Sequence, residues 1–161
     1  MASNSKPAVQ IRAAKDSDLN RILEIERASP TAAHWPHSDY ASALTSTSPP
    51  RTLLLAELDA QVEAFLVARS LHPAEWEIEN VVVAETARRR GVGLALVNAF
   101  LEQVRLGKPL NQDVAIYLEV RESNLAARQL YEKSGFHLDN RRTAYYTLPK
   151  EDAVLYRYMF Q

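Results

Sequence analysis

The sequence predicts an α/β protein built on one twisted sheet of mixed, mostly antiparallel direction, with about seven strands and about four helices. Three observations carry that prediction. Two alternating apolar runs, 52–58 and 62–70, flank the tight pair Asp59-Ala60, the pattern of an antiparallel hairpin. The run Val92, Leu94, Ala95, Leu96, Val97, Phe100, Leu101 and Val104 repeats with helical period and ends before Gly107-Lys108-Pro109. Val114, Ile116, Leu118 and Val120 then alternate with other residues as a half-buried strand does.

The remaining elements follow in order. Val9, Ile11 and Ala13 alternate as a first strand, and Asp16 is placed to cap a helix through Ile22, Leu23, Ile25 and Glu26. Beyond Trp35-Pro36 the pattern suits a short helix over 39–44, ended by the Ser/Thr/Pro stretch 45–50. A third central strand, 76–83, finishes in Val81-Val82-Val83. Ser123 or Asn124 opens a helix through Leu125, Ala126, Leu130 and Tyr131 that stops at Gly135, and strands over 137–146 and 153–159 close the chain. The order is β-α-α-β-β-β-α-β-α-β-β.

A length of 161 residues, 47% of them hydrophobic, suits one domain with a real core. Residues 1–7 are expected to form a disordered tail and 8–161 a single domain, because no repeat or linker divides the chain. The formal charge of -1 provides no overall field to hold nucleic acid or anionic lipid, so neither is expected as a direct partner. No apolar run approaches a membrane span and 1–7 lacks an apolar leader core, which makes cytoplasmic the expected location. Cysteine is absent, which excludes disulfides, thiolate metal sites and a cysteine nucleophile. His34, His37, His72 and His137 show no paired metal spacing, and no metal is assigned.

Of the four glycines, Gly107 and Gly135 read as helix stops. Gly91 and Gly93 instead lie between the Val81-Val82-Val83 strand and the longest helix. A backbone without Cβ there lets successive N–H groups approach an anion, and the helix start adds about half a positive charge. A P-loop would need Lys-Ser/Thr after the last glycine, where this chain has Leu94-Ala95. A dinucleotide fingerprint would need Gly or Ala at 96, which is Leu96. The glycine pair alone fits a phosphate or pyrophosphate site and a ligand-free tight turn equally well.

The spelling around the pair is more specific. Arg88-x-x-Gly91-x-Gly93 after Val81-Val82-Val83 resembles the acetyl-CoA motif of the GNAT N-acetyltransferase superfamily. The stretches Leu118-Glu119-Val120-Arg121-Glu122-Ser123-Asn124 and Leu130-Tyr131-Glu132-Lys133-Ser134-Gly135-Phe136 resemble its ribosomal-protein-alanine N-acetyltransferase branch. So does the tail, with Arg141-Arg142, Tyr145-Tyr146 and Glu151-Asp152-Ala153. The resemblance spans nearly the whole chain and implies a GNAT-like fold with acetyl-CoA as cosubstrate.

What the resemblance implies stands beside what each residue would do unaided. The backbone of Val81, Val82 and Val83 matches the strand that pairs with the pantetheine arm, its side chains being core. Arg88, Arg89, Arg90, Gly91, Val92, Gly93 and Leu94 match the pyrophosphate turn, although consecutive arginines on a turn are commonly just solvated. Glu119 matches the family's general base; a strand glutamate is otherwise a surface residue or ion-pair partner. Tyr131 matches the tyrosine that acts as general acid toward the CoA sulfur, at a helix position where an aromatic ordinarily packs. A thiol of pKa about 8.5 is already more acidic than a phenol of about 10, so a hydrogen bond from Tyr131 suffices. Asn124 matches a cofactor contact and is also an ordinary N-cap.

With cysteine absent, the simplest chemistry is direct attack of an amine on the thioester in a ternary complex. An α-amine with a pKa of about 8 costs about 1 kcal/mol to deprotonate at pH 7, whereas lysine costs about 4.6 kcal/mol. That favours a protein or peptide N-terminus as acceptor. The resemblance agrees and names the N-terminal alanine of a ribosomal protein. Tyr145 and Tyr146 are the candidate acceptor-groove residues, but neighbours on an alternating strand face opposite sides, so one of them is expected to be packing. The alternatives are a small-molecule amine N-acetyltransferase and a non-catalytic acyl-CoA-binding module.

Overall fold

The structure, a computed structural model, describes residues 8–160, so the tail expected over 1–7 lies outside the described residues. In chain order its elements are β1 (Val9–Ala13), α1 (Leu19–Arg27), α2 (His37–Thr45), β2 (Arg51–Leu58), β3 (Gln61–His72), β4 (Glu75–Val83), α3 (Val92–Gly107), β5 (Val114–Arg121), α4 (Leu125–Lys133), β6 (His137–Thr147) and β7 (Lys150–Phe160). All seven strands join one sheet in the order β1-β2-β3-β4-β5-β7-β6. Every neighbouring pair is antiparallel except β4 and β5.

Local chemistry explains most of these boundaries. Asp59 and Ala60 both take positive φ, 53° and 62°, the left-handed pair that a two-residue hairpin turn between twisted strands requires. At α1 the N-cap position is Asp18 rather than the expected Asp16, and its side chain bonds outside the helix. The Asp18 carboxylate accepts the Lys15 N–H at 2.8 Å and both terminal nitrogens of Arg12 at 2.8 Å, while Asp16 is exposed in the short turn that precedes the helix. The end of α3 also differs from expectation. Gly107 is its last helical residue and does not take a left-handed backbone; Lys108, before Pro109, is forced out to an extended ψ of 129°.

The core lies on both faces of the sheet. One face, covered by α3 and α4, buries Leu66, Ile78, Leu96, Phe100, Ile116, Leu118, Tyr131 and Tyr156. The other, covered by α1 and α2, buries Ile22, Tyr40, Leu55, Phe65, Val67 and Val82. Among the described residues no helix is long and apolar enough to cross a membrane.

The feature that positions the site is a split in the middle of the sheet. β4 and β5 pair only through Glu75↔Ala115, Trp76↔Ile116 and Glu77↔Tyr117. Beyond that point β4 stays with β3 as far as Val83↔Ala64, and β5 stays with β7 as far as Arg121↔Ala153. A β-bulge marks the parting: Ile78 faces Ala68 and Asn80 faces Val67, leaving Glu79 as an extra residue in β4. An inserted residue bends its strand and increases the local twist, which turns the end of β4 away from β5. Glu79 is held across the sheet by Arg51, whose Nε and Nη2 donate to it at 3.0 and 3.2 Å.

Candidate active site

The bulge also reverses which residues of β4 face which way. Val81 and Val83 pack toward α3, whereas Asn80 and Val82 turn toward α1 and α2. The valine side chains are core, as expected. The backbone edge of β4 beyond Glu77 faces the split and has no strand partner on that side among the described residues.

The glycine turn sits directly beyond this edge. Arg88 is extended, Arg89 takes φ 61° and Gly91 takes φ 76°, so the chain reverses tightly before Val92 enters α3. Gly91 is the N-cap and has no side chain to accept a bond, so the N–H groups of Val92, Gly93 and Leu94 remain available; the first helical bond is Ala95 N–H to Gly91 at 3.0 Å. A Cβ at Gly91 would meet nothing within 4 Å, so that approach is open. Gly93 has the opposite role. A Cβ there would lie 3.3 Å from Leu130 Cδ2 and 3.3 Å from Val83 Cγ2, so its absence brings α3, β4 and α4 together.

Of the three arginines, Arg88 folds back, its Nε donating to the Val83 carbonyl at 3.3 Å. Arg88, Arg89 and Arg90 are all exposed, and no ion pair among the described residues involves them. A helix start without a side-chain cap, an open Gly91 and unpaired cations form a consistent setting for a pyrophosphate.

Tyr131 is placed by the end of α4. Gly135, at φ 98°, closes a complete Schellman motif: Phe136 N–H donates to the Tyr131 carbonyl at 3.0 Å and Gly135 N–H to Glu132 at 3.1 Å. The accompanying apolar contact is Tyr131 against Phe136, their rings 5.7 Å apart and edge-on. The gate to the helix is Asn124, whose Oδ1 accepts the Ala127 N–H at 3.2 Å. Arg128 locks α4 onto β7 and onto the turn that follows β5 by donating to the Tyr156 hydroxyl at 3.1 Å and the Glu122 carbonyl at 3.0 Å.

The Tyr131 side chain is buried, and burial pushes its phenol well above the ordinary value. Its hydroxyl has no protein partner among the described residues, yet no fully enclosed polar atom is left unpaired there. The oxygen therefore keeps some contact with solvent.

Glu119 occupies the other face. Its neighbours Leu118 and Val120 belong to the core under α3, so the alternation of β5 turns Glu119 toward the α1/α2 side. There Arg142 Nη2 lies 3.3 Å from Glu119 Oε1. Arg121 stacks on Tyr146 at 4.0 Å and Arg142 lies over Tyr145 at 5.4 Å. Arg121 also pairs with Glu151, whose carboxyl is held below its ordinary range first by Ser123 and then by Arg121. Burial, then the nearby Glu119 charge, raises the Tyr146 phenol.

The expectation that Tyr145 and Tyr146 diverge is corrected here. Arg142 pairs with Ala153 and Tyr146 with Glu151, so β6 carries two more residues than β7 over this span, and Ala144 takes φ 51° to absorb them. Strict alternation fails through the bulge. The two rings meet edge-on at 5.1 Å and share one cluster with Arg121, Arg142 and Glu119. The sequence expectations did not include Arg121 or Arg142 as site residues; the available signal was Arg121 two positions after Glu119, on the same face of β5.

The expected residues thus fall into two groups on opposite faces. Val81, Val83, the 88–94 turn, Asn124 and Tyr131 gather toward the α3/α4 side, and Val82, Glu119, Tyr145 and Tyr146 on the α1/α2 side. The split, where β4 and β5 stop pairing beyond Glu77 and Tyr117, lies between them.

Comparison with known proteins identifies the family. The model of the acetyltransferase (GNAT) family matches residues 19–136. The chain is 28% identical over 161 aligned positions to an N-alpha-acetyltransferase of Sulfurisphaera tokodaii, covering 91% of this chain and 90% of that one. It is 27% identical to a ribosomal protein bS18-alanine N-acetyltransferase of Haemophilus ducreyi, covering 87% and 92%. The crystal structure of the ribosomal-protein-S18-alanine N-acetyltransferase from Escherichia coli superimposes with a TM-score of 0.76 at 26% identity, over 93% of this chain and 92% of that one. A seven-stranded sheet split between β4 and β5, a glycine turn at the start of α3 and a family match through both make this chain a member of the GNAT family and an acyltransferase.

Proposed function

We propose that this chain transfers an acetyl group from acetyl-CoA to the N-terminal α-amino group of a protein, with the N-terminal alanine of a ribosomal protein as the specific acceptor. The observation that carries the reading is the two-faced split: an anion-ready helix start on one side and a carboxylate with two tyrosines on the other. The names of relatives that cover about nine-tenths of the chain support a protein acceptor.

In this reading the N–H groups of Val92, Gly93 and Leu94, with Arg89 and Arg90, hold the CoA pyrophosphate. The free edge of β4 at Val81 to Val83 aligns the pantetheine arm, and the amide of Asn124 contacts the cofactor while its Oδ1 caps α4. Bound acetyl-CoA supplies an activated thioester carbonyl. The acceptor enters from the α1/α2 side along Tyr145 and Tyr146, which exclude water and orient the chain end. Glu119 takes the proton that the amine releases as its nitrogen forms the new amide bond. Tyr131 donates a hydrogen bond to the departing sulfur, and its burial keeps the phenol protonated for that purpose.

The test is a panel of peptides with different N-terminal residues, incubated with acetyl-CoA and read by mass spectrometry. Acetylation of an Ala-initiated peptide at its α-amine, and none of the same peptide already blocked there, is the expected result. Turnover of polyamines or free amino acids in place of every peptide would overturn it.

A further inference from the structure

A buried hydrogen-bond chain that the chemistry above does not use runs from α1 to the mouth of the split. Glu26 is 1% exposed and lies on the apolar stripe of α1 beside Ile22, Leu23 and Ile25. Its Oε1 accepts the backbone N–H of Trp35 at 2.6 Å and the hydroxyl of Tyr40 at 2.6 Å. The Tyr40 hydroxyl, in turn, accepts from Asn80 Nδ2 at 3.0 Å. Asn80 immediately follows the bulge residue Glu79, at the point where β4 leaves β5.

The arrangement is costly for stability alone. A carboxylate taken out of water needs compensation, no ion pair among the described residues reaches Glu26, and an apolar side chain would suit the stripe better. What the carboxylate does provide is position. It fixes the main chain of residues 28–36 at Trp35, directly after His34, a non-glycine residue at φ 58°. Tyr40 is wholly buried between Trp35 at 5.3 Å and Phe65 at 5.5 Å, so its hydroxyl has one place to be. Burial and the adjacent Glu26 both push that phenol above its ordinary value, so it remains a donor.

We infer that Glu26, Tyr40 and Asn80 form a strut that sets the distance between the 28–36 loop and the open edge of β4, and so positions the acceptor rather than the cofactor. These are positioning residues: they lie on the α1/α2 face with Glu119 and act through the loop and strand they join. The inference rests on the reading of the chain as an N-terminal acetyltransferase, because it assigns that face to the acceptor.

The experiment combines steady-state kinetics with amide hydrogen exchange on the full chain. Tyr40→Phe keeps the ring packing and removes only the bridging hydroxyl. It is expected to raise the peptide KM by about tenfold while leaving the acetyl-CoA KM within about twofold. Exchange over residues 28–36 should accelerate by a similar factor of about ten. Adding Asn80→Ala to Tyr40→Phe should change the peptide KM little further, since the shared oxygen is already gone. Glu26→Gln, which keeps an acceptor for the Trp35 N–H, should fall between wild type and Tyr40→Phe. An unchanged peptide KM in Tyr40→Phe, or equal rises for both substrates, would overturn the strut. A wild-type protein that acetylates no peptide N-terminus would instead overturn the functional reading, with loop exchange still reporting whether the chain of bonds fixes the loop.

Discussion

Glu119 and Arg142 lie 3.3 Å apart across β5 and β6, so the carboxylate proposed to receive the acceptor's proton already has a cation beside it. The two are unequal partners: the Arg142 side chain is 54% exposed and Glu119 25%. A pair with one solvated partner contributes about 0–1 kcal/mol and is easily displaced. An incoming ammonium or amine therefore competes with Arg142 on nearly even terms. Arg142→Gln should lower the peptide KM about two- to fivefold at low ionic strength, an advantage that fades as salt is added. Glu119→Gln should lower kcat by about 100- to 1,000-fold across neutral pH. Steady-state rates at two salt concentrations check both; a Glu119→Gln enzyme with full kcat removes the base assignment.

Tyr131→Phe separates chemistry from packing. Its ring is fixed by Phe136 and by Tyr156 at 6.3 Å, contacts that phenylalanine preserves, and its hydroxyl has no protein partner to lose among the described residues. The Tm should stay within about 2 °C of wild type and acetyl-CoA affinity within about twofold, while kcat falls about 10- to 100-fold. Because burial raises the phenol, Tyr131 stays protonated well beyond neutral pH, and it should impose no alkaline limb on the rate below about pH 10. Calorimetry, acetyl-CoA titration and a pH–rate profile test the three parts. Loss of acetyl-CoA binding would mark the residue as structural.

The parts of this molecule that could be read from its sequence are those governed by near neighbours in the chain. Asp59-Ala60 between two alternating runs, the helical period from Val92 to Val104 and the Gly135 stop all depend on residues within a turn or two. The bulges at Glu79 and around Ala144 do not. Each is defined by a count of residues against a partner strand, and neither carries the glycine that would announce it. The second of these defeated the alternation argument at Tyr145 and Tyr146. Glu26 was hidden differently, since its spacing fits the apolar stripe of α1 and only its chemistry is out of place. A carboxylate at a core position was the available signal for the bonds to Trp35 and Tyr40.

The two glycines of the turn should fail in different ways. Gly91→Ala places a side chain in open space at φ 76°, so the penalty is backbone strain of about 1 kcal/mol. Gly93→Ala brings a methyl to 3.3 Å from both Leu130 and Val83, so those side chains and the start of α3 share a displacement of a few tenths of an ångström at a cost of about 1–3 kcal/mol. The first variant should bind CoA about as well as its lowered Tm allows. The second should lose CoA affinity disproportionately, because the Val92, Gly93 and Leu94 amides move with the helix. Isothermal titration beside thermal melts distinguishes them, and equal loss in both variants would count against separate roles.

Acid stability should be concentrated at Asp18. Arg12 holds this carboxyl below the ordinary carboxylate range through paired bonds at 2.8 Å, and the Lys15 N–H adds to the effect against the opposing cost of burial. A depressed carboxyl contributes stability that is present above its unfolded pKa of about 4 and is lost as pH falls through the lower folded value. Arg12 is about one-third exposed, which discounts the pair for solvent screening. Asp18→Asn should therefore destabilise the protein by about 1–2 kcal/mol at pH 7 and by progressively less below pH 4. Denaturant melts of both proteins at pH 7, 5 and 3 measure the difference. A gap that stays constant across that range would show that Asp18 acts through its uncharged hydrogen bonds, with Arg12 contributing nothing that titrates.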